Sequence, residues 1–124
     1  MSMIDTPLMR GLERVLDVSA FRHQIIAANL ANIDTPGYRT RDLRPFAGEI
    51  ERAMAGKESW FASFTPIAHE IRGLLERPDG NNVSVERESL LLAQNQLRFQ
   101  VAVQFMKAEF HRMTLAITGG GTTA

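Results

Sequence analysis

The chain has no cysteine, which excludes a disulfide framework and any thiolate metal centre while leaving the compartment open. It has no surplus of charge either: 14 lysines and arginines balance 14 aspartates and glutamates, a formal net charge of +0. Nucleic-acid binders normally carry a basic excess, so that class of partner is set aside. No apolar run is long enough to cross a bilayer, and no direct membrane insertion is expected. The first twenty residues are interrupted by Asp5, Glu13 and Asp17, so they lack the unbroken apolar core of a cleaved secretory signal. Sequence physics alone therefore points to the cytoplasm.

Histidine is scarce as well. His23, His69 and His111 are far apart, and none stands in a spacing that would put two metal ligands on one helical face. Glu109 and His111 are two residues apart on a predicted helix and point in different directions. No glycine-rich phosphate loop occurs, and Asn82-Val83-Ser84, which fits a glycosylation sequon, reads as a turn followed by a helix cap. No catalytic, cofactor-binding or metal-binding residue is assigned, and no enzyme activity is expected.

What the chain does have is heptad spacing. In the N-terminal part Met9, Leu12, Leu16, Ile26, Leu30 and Ile33 recur at three- and four-residue steps, predicting a helix over about residues 5–33, with Ser19 and His23 as polar interruptions of the seam. In the C-terminal part Leu92, Phe99, Val103, Met106, Phe110, Met113 and Ile117 form a longer seam. Val85 extends it backwards, Ser89 and Gln96 interrupt it, and Glu109 is placed off it. Ser84 is suited to cap this helix, with Glu86 and Glu88 near its positive end, and Gly119-Gly120-Gly121 stops it. At about 1.5 Å per residue the two helices would be about 40 and 50 Å long. A hairpin of two helices buries one stripe of each, yet Leu90, Leu91, Leu97, Val101 and Leu115 add apolar surface beside the C-terminal seam. That surplus calls for other chains.

Between the helices the signals weaken. Phe46, Ile50, Ala53 and Met54 suggest a short helix closed by Gly56. Ile67, Ile71, Leu74 and Leu75 allow a helical turn or two, and a strand pair fits residues 57–82 equally well. Arg39, Arg41 and Arg44 surround Asp42, which suits a solvated loop or ion pairs between subunits better than phosphate binding. The expected architecture is mainly α: an elongated, coiled-coil-like antiparallel pair of long terminal helices. Its parts are an N-terminal helix and turn over 1–42, an irregular middle over 43–82, and a C-terminal helix with a glycine-rich tail over 83–124.

The most restrictive stretch is Ala27-Ala28-Asn29-Leu30-Ala31-Asn32-Ile33-Asp34-Thr35-Pro36-Gly37-Tyr38-Arg39. Pro36 fixes its own φ and drives Thr35 out of the helical region, while Gly37 supplies the positive φ at the third position of a type II turn. Asn29 and Asn32 are poor helix formers three residues apart, placed to bond freed carbonyls or a neighbouring chain. The pattern made by Asn29, Ala31, Asn32, Thr35, Gly37 and Tyr38 resembles the N-terminal signature of the axial proteins of the bacterial flagellum, the rod and hook family. Asp79-Gly80-Asn81-Asn82-Val83, Glu86-Arg87-Glu88 and Gln94-Asn95-Gln96-Leu97-Arg98-Phe99-Gln100 add a second resemblance at the other end of the chain.

The resemblance implies a structural subunit of the proximal rod, packed with its copies into a helical tube and transmitting torque between the membrane ring and the distal rod and hook. It implies as partners its own copies, other rod proteins, the rod adaptor and the membrane-ring protein. It also implies a periplasmic basal-body location reached through the flagellar type III export apparatus without a cleaved signal peptide. The reading from another class is a helical-hairpin export chaperone or similar protein-binding module.

Overall fold

The computed structural model describes residues 6–43 and 66–119. Helix α1 spans Pro7–Ala31, strand β1 Arg41–Leu43, strand β2 Ala68–Glu70 and helix α2 Val85–Ile117. The ends of α1 follow from local chemistry. The Thr6 hydroxyl accepts the Met9 amide at 3.1 Å, and Pro7 sits at the first helical position, where its missing N–H costs nothing. Helix α1 is shorter than its apolar period suggests and ends at Ala31 with Asn32 as its C-cap. Ser84 caps α2 by accepting the Arg87 amide at 3.3 Å, with Glu86 and Glu88 in the first turn. Thr118 closes that helix, followed by Gly119 at φ +73°.

The helices run antiparallel. The side chain of Asn29, near the end of α1, bonds Glu88 near the start of α2, and Asn95, further along α2, donates at 2.8 Å to the carbonyl of Ser19, further back on α1. Strands β1 and β2 pair antiparallel in the register Arg41↔Glu70, Asp42↔His69, Leu43↔Ala68. The Ile71 amide extends the ladder to the Thr40 carbonyl. Leu43 joins Val18 and Ile25 in the apolar core, with Phe21 and Ala68 packed against it. Helix α1 is therefore covered on two sides, by α2 and by the small sheet.

That double packing explains where burial departs from the seams. On α1, Met9 and Ile26 are buried, while Leu12, Leu16 and Leu30 are half-buried, as is Ile33 in the turn beyond the helix. His23 is exposed rather than on the seam, and Ser19 and Arg22 are buried instead. On α2 the buried row is Glu88, Asn95, Ala102 and Glu109, each seven residues from the next. Leu92, Val103, Met106 and Met113 flank it half-buried; Phe99, Phe110 and Ile117 are exposed, and so is Val85. The polar members of the row are inside because each has a partner, and Ala102 is small enough for close helix approach. Glu109, expected off the seam, is on it.

In the described part of the middle segment there is one strand, β2, which pairs with β1 at Arg41–Leu43 and not with a second strand inside residues 66–82. Residues 66–83 contain no helix; Ile67 and Leu75 are exposed. The short helix expected at Phe46, Ile50, Ala53, Met54 and Gly56 lies outside the described residues.

Candidate functional site

The restrictive stretch after α1 folds into a lock that also takes in the second turn. At Thr35-Pro36-Gly37-Tyr38 the Tyr38 amide returns to the Thr35 carbonyl at 3.2 Å and Gly37 takes φ +76°, the geometry its proline and glycine call for. Asn29 is fully buried, and its amide is saturated. Its Nδ2 donates to the Arg41 carbonyl at 2.8 Å and to Glu88 Oε2 at 3.0 Å; its Oδ1 accepts from the Arg41 amide at 3.1 Å and the Tyr38 hydroxyl at 3.2 Å. One side chain thus treats Arg41 as a strand neighbour would and ties it to the other helix. Asn32 works locally: its Nδ2 donates to the Ala28 carbonyl at 2.8 Å and its Oδ1 accepts from the Thr35 hydroxyl at 3.0 Å. Ala31, Asp34, Thr35 and Pro36 are exposed around it.

Just past the last residue of α1, the turn carbonyls receive a donor from far along the chain, Asn81. Its Nδ2 lies 2.9 Å from the Asn32 carbonyl, 3.0 Å from that of Ile33 and 2.9 Å from that of Thr35, while its Oδ1 accepts the Val83 amide at 2.8 Å. Arg77 also donates to the Ile33 carbonyl. Asn82 holds the other side: its Oδ1 accepts the Thr40 amide at 2.6 Å, and its backbone carbonyl accepts the Thr40 hydroxyl at 3.1 Å. The Gly37 amide reaches the Asp79 carbonyl at 2.9 Å, so the two turns face each other directly. A sequon reading of Asn82 has no place here, since the side chain is 1% exposed.

Beneath the lock lies a buried chain of alternating charge. Arg22 grips Asp42 with two bonds of 2.9 Å; Arg87 stands 3.8 Å from the same carboxylate and 2.7 Å from Glu88, which holds Asn29. Two guanidinium groups and two carboxylates cancel, which permits the burial of Arg22, Asp42 and Glu88, with Arg87 half-buried at the edge. Asp42 is expected in a solvated loop or in an ion pair between subunits; it is 5% exposed and paired within the chain to Arg22 on α1. Of its arginine neighbours, Arg39 lies 3.2 Å from Glu76 at the surface. At the far end of α2, Glu109 takes a forked pair of bonds from Arg112, whose pKa is raised by that hydrogen bond and by the carboxylate's charge.

The seam residues take a different position. Among the described residues of α2, Phe99, Phe110 and Ile117 lie exposed on one flank of the buried row, and Leu90, Leu97, Val101 and Leu115 lie exposed on another side. Both rows repeat at helical spacing along a rod of about 50 Å. Among the described residues these rows are exposed, so the apolar surplus read from the sequence is present there as surface.

Comparison with known proteins bears on both features. The family described as Flagella basal body rod protein matches residues 22–39, the segment that holds Arg22, Asn29 and the turn. The flagellar basal body rod protein FlgB of Salmonella typhimurium is 30% identical over 130 residues, covering 90% of this chain and 94% of that protein. The chain belongs to the FlgB family of flagellar rod proteins. FlgB of Escherichia coli is 28% identical with the same coverage, and FlgB of Bacillus subtilis is 28% identical over 122 residues, covering 90% and 94%. The rod subunit described here is accordingly a structural component of the flagellar basal body, and its place is among other rod components. Among the described residues no helix is long and apolar enough to cross a membrane.

Sequence reasoning found the turn and its asparagines but missed Arg22, Thr40, Asp42, Asn81 and Glu88 as parts of the lock. One signal was available for Arg22: it shares a helical face with Ser19, Ile26 and Asn29, and a charge on a buried face requires a partner. The partnership of Asn81 with the end of α1 had no sequence signal.

Proposed function

We propose that this rod subunit works mechanically, as a stiff helical hairpin whose exposed apolar rows pack against neighbouring subunits, and that it performs no chemistry. The observation that carries this reading is the pair of uncovered rows on α2, Phe99-Phe110-Ile117 and Leu90-Leu97-Val101-Leu115. Two rows on different sides of one helix engage two different neighbours, and contacts of that heterologous kind propagate as a helical assembly instead of closing. Torque would pass along the paired helices, because a hairpin locked at its turn resists sliding under load. The neighbours in this reading are its own copies, other rod proteins, the rod adaptor and the membrane-ring protein. The chain reaches the periplasmic part of the basal body through the flagellar type III apparatus without a cleaved signal. In this division residues 1–42 and 83–124 form the axial part and 43–82 the connection between them.

The reading is tested in cells that lack the native subunit. Phe110→Asp places a charge in a row that is wet in the free chain and dry in the assembled rod. It should leave the protein soluble and exported yet absent from isolated basal bodies, whereas Lys107→Ala should incorporate normally. Normal rods built from Phe110→Asp would show that this row faces solvent in the assembly.

A further inference from the structure

Apolar heptads hold two helices together but do not say how far along each other they should sit. On α2, Leu92, Phe99, Met106 and Met113 recur every seven residues, and so do Val103, Phe110 and Ile117. Sliding α2 along α1 by one heptad, about 10 Å, replaces apolar side chains with apolar side chains along the row from Leu92 to Met113.

We propose that the polar row facing α1, Glu88 and Asn95 against Asn29 and Ser19, is a register lock that singles out one alignment of the two helices. In the observed alignment Glu88 accepts from Asn29 and Asn95 donates to the Ser19 carbonyl. Slide α2 one heptad in one direction, and Asn95 takes the place of Glu88 while Ala102 takes the place of Asn95. The Ser19 carbonyl then faces a methyl group, and Arg87 leaves the Asp42 carboxylate it stands beside at 3.8 Å. Slide it the other way, and the Glu88 carboxylate meets the Ser19 carbonyl, acceptor against acceptor, while α2 has no residue left for Asn29, because the helix begins at Val85. Each slipped alignment breaks both the Asn29–Glu88 and the Asn95–Ser19 bonds. The observed one makes both and satisfies Asn29 completely, although the Ser19 hydroxyl and Asn95 Oδ1 have no hydrogen-bond partner among the described residues even there. A polar residue within an apolar helix seam is a known device for specifying register at some cost in stability. The alignment matters to a rod subunit because it fixes which stretch of the apolar rows on α2 lies beside the turn region.

The test uses the full chain, whose lack of cysteine lets spin labels be placed at introduced cysteines alone. Ala20→Cys on α1 and Gln96→Cys on α2 are exposed positions close to the level of the Ser19–Asn95 bond. Electron–electron distance measurement should give one narrow distance in the parent sequence. With Asn29→Leu and Glu88→Leu together, circular dichroism should show the helices retained while a second, longer distance appears, from chains slipped by a heptad. Leu92→Ala, which weakens apolar packing alone, should lower the thermal midpoint and keep the single distance. An unchanged single distance in the doubly apolar variant overturns the proposal. Loss of helicity in it also overturns the proposal, because the polar row would then hold the pair together instead of aligning it. A second distance in Leu92→Ala or in the parent does so too.

Discussion

Asn81 completes the end of a helix 49 residues before it: its amide stands 2.9 Å from the carbonyl of Asn32, the C-cap of α1, and 3.0 Å from that of Ile33. The last carbonyls of a helix are normally satisfied by its own next turn or by water. Here the next turn bonds the carbonyls of Ala28, Asn29 and Leu30, and the loop that launches the other helix adds Asn81 to the carbonyls of the C-cap and of Ile33, which ties the end of α1 to the start of α2.

Asn81→Ala should therefore cost about 1–3 kcal/mol, the penalty for leaving the buried Val83 amide without its acceptor and removing one donor from the carbonyls of Asn32, Ile33 and Thr35. Urea unfolding should show the midpoint falling with an unchanged slope. Wild-type stability in this variant would mean that water replaces the amide without loss.

Gly37 separates conformation from packing. A Cβ built there meets nothing within 4 Å, yet the residue sits at φ +76°. Gly37→Val should cost about 1–2 kcal/mol through the backbone alone. Gly37→Asn should cost less, because asparagine tolerates the left-handed region. Equal losses from both would place the cause elsewhere than in the turn's conformation.

The Arg22–Asp42 pair is buried at both ends, with side chains 9% and 7% exposed. Asp42→Ala alone should destabilise by about 3–5 kcal/mol, since it takes both forked bonds from a buried guanidinium. Replacing both partners, Arg22→Met with Asp42→Leu, should cost less than the single change. A thermodynamic cycle over the two sites measures the coupling, and additive losses would show that the forked bonds contribute little.

Leu97 is 62% exposed on the outer row of α2. Leu97→Asp should shift the stability of the purified chain by no more than about 0.5 kcal/mol while preventing incorporation into basal bodies. Should the variant instead unfold more readily by several-fold that amount, the row would belong to the fold of the single chain.

The sequence by itself determined the two helices, the sharp stop between them and the apolar surplus. Those features are local: a cap at Ser84, a proline and glycine at fixed offsets in the turn, and side chains recurring at helical period. It also marked Asn29 as a residue with a specified contact, because asparagine near the end of a helix is unfavourable without one. Only the tertiary structure decided what that contact was and which face of α2 turned inward. Period alone placed Phe99, Phe110 and Ile117 on the seam, but helix rotation is set by the best sum of packing and polar pairing, and Glu88, Asn95 and Glu109 each found a partner that made their burial possible. The same holds for Asp42, whose loop became a strand because Arg22 on α1 and Ala68–Glu70 on β2 were brought to it. Partnerships between residues tens of positions apart depend on chain reversal and close approach, and neither is encoded in the spacing of a single helix.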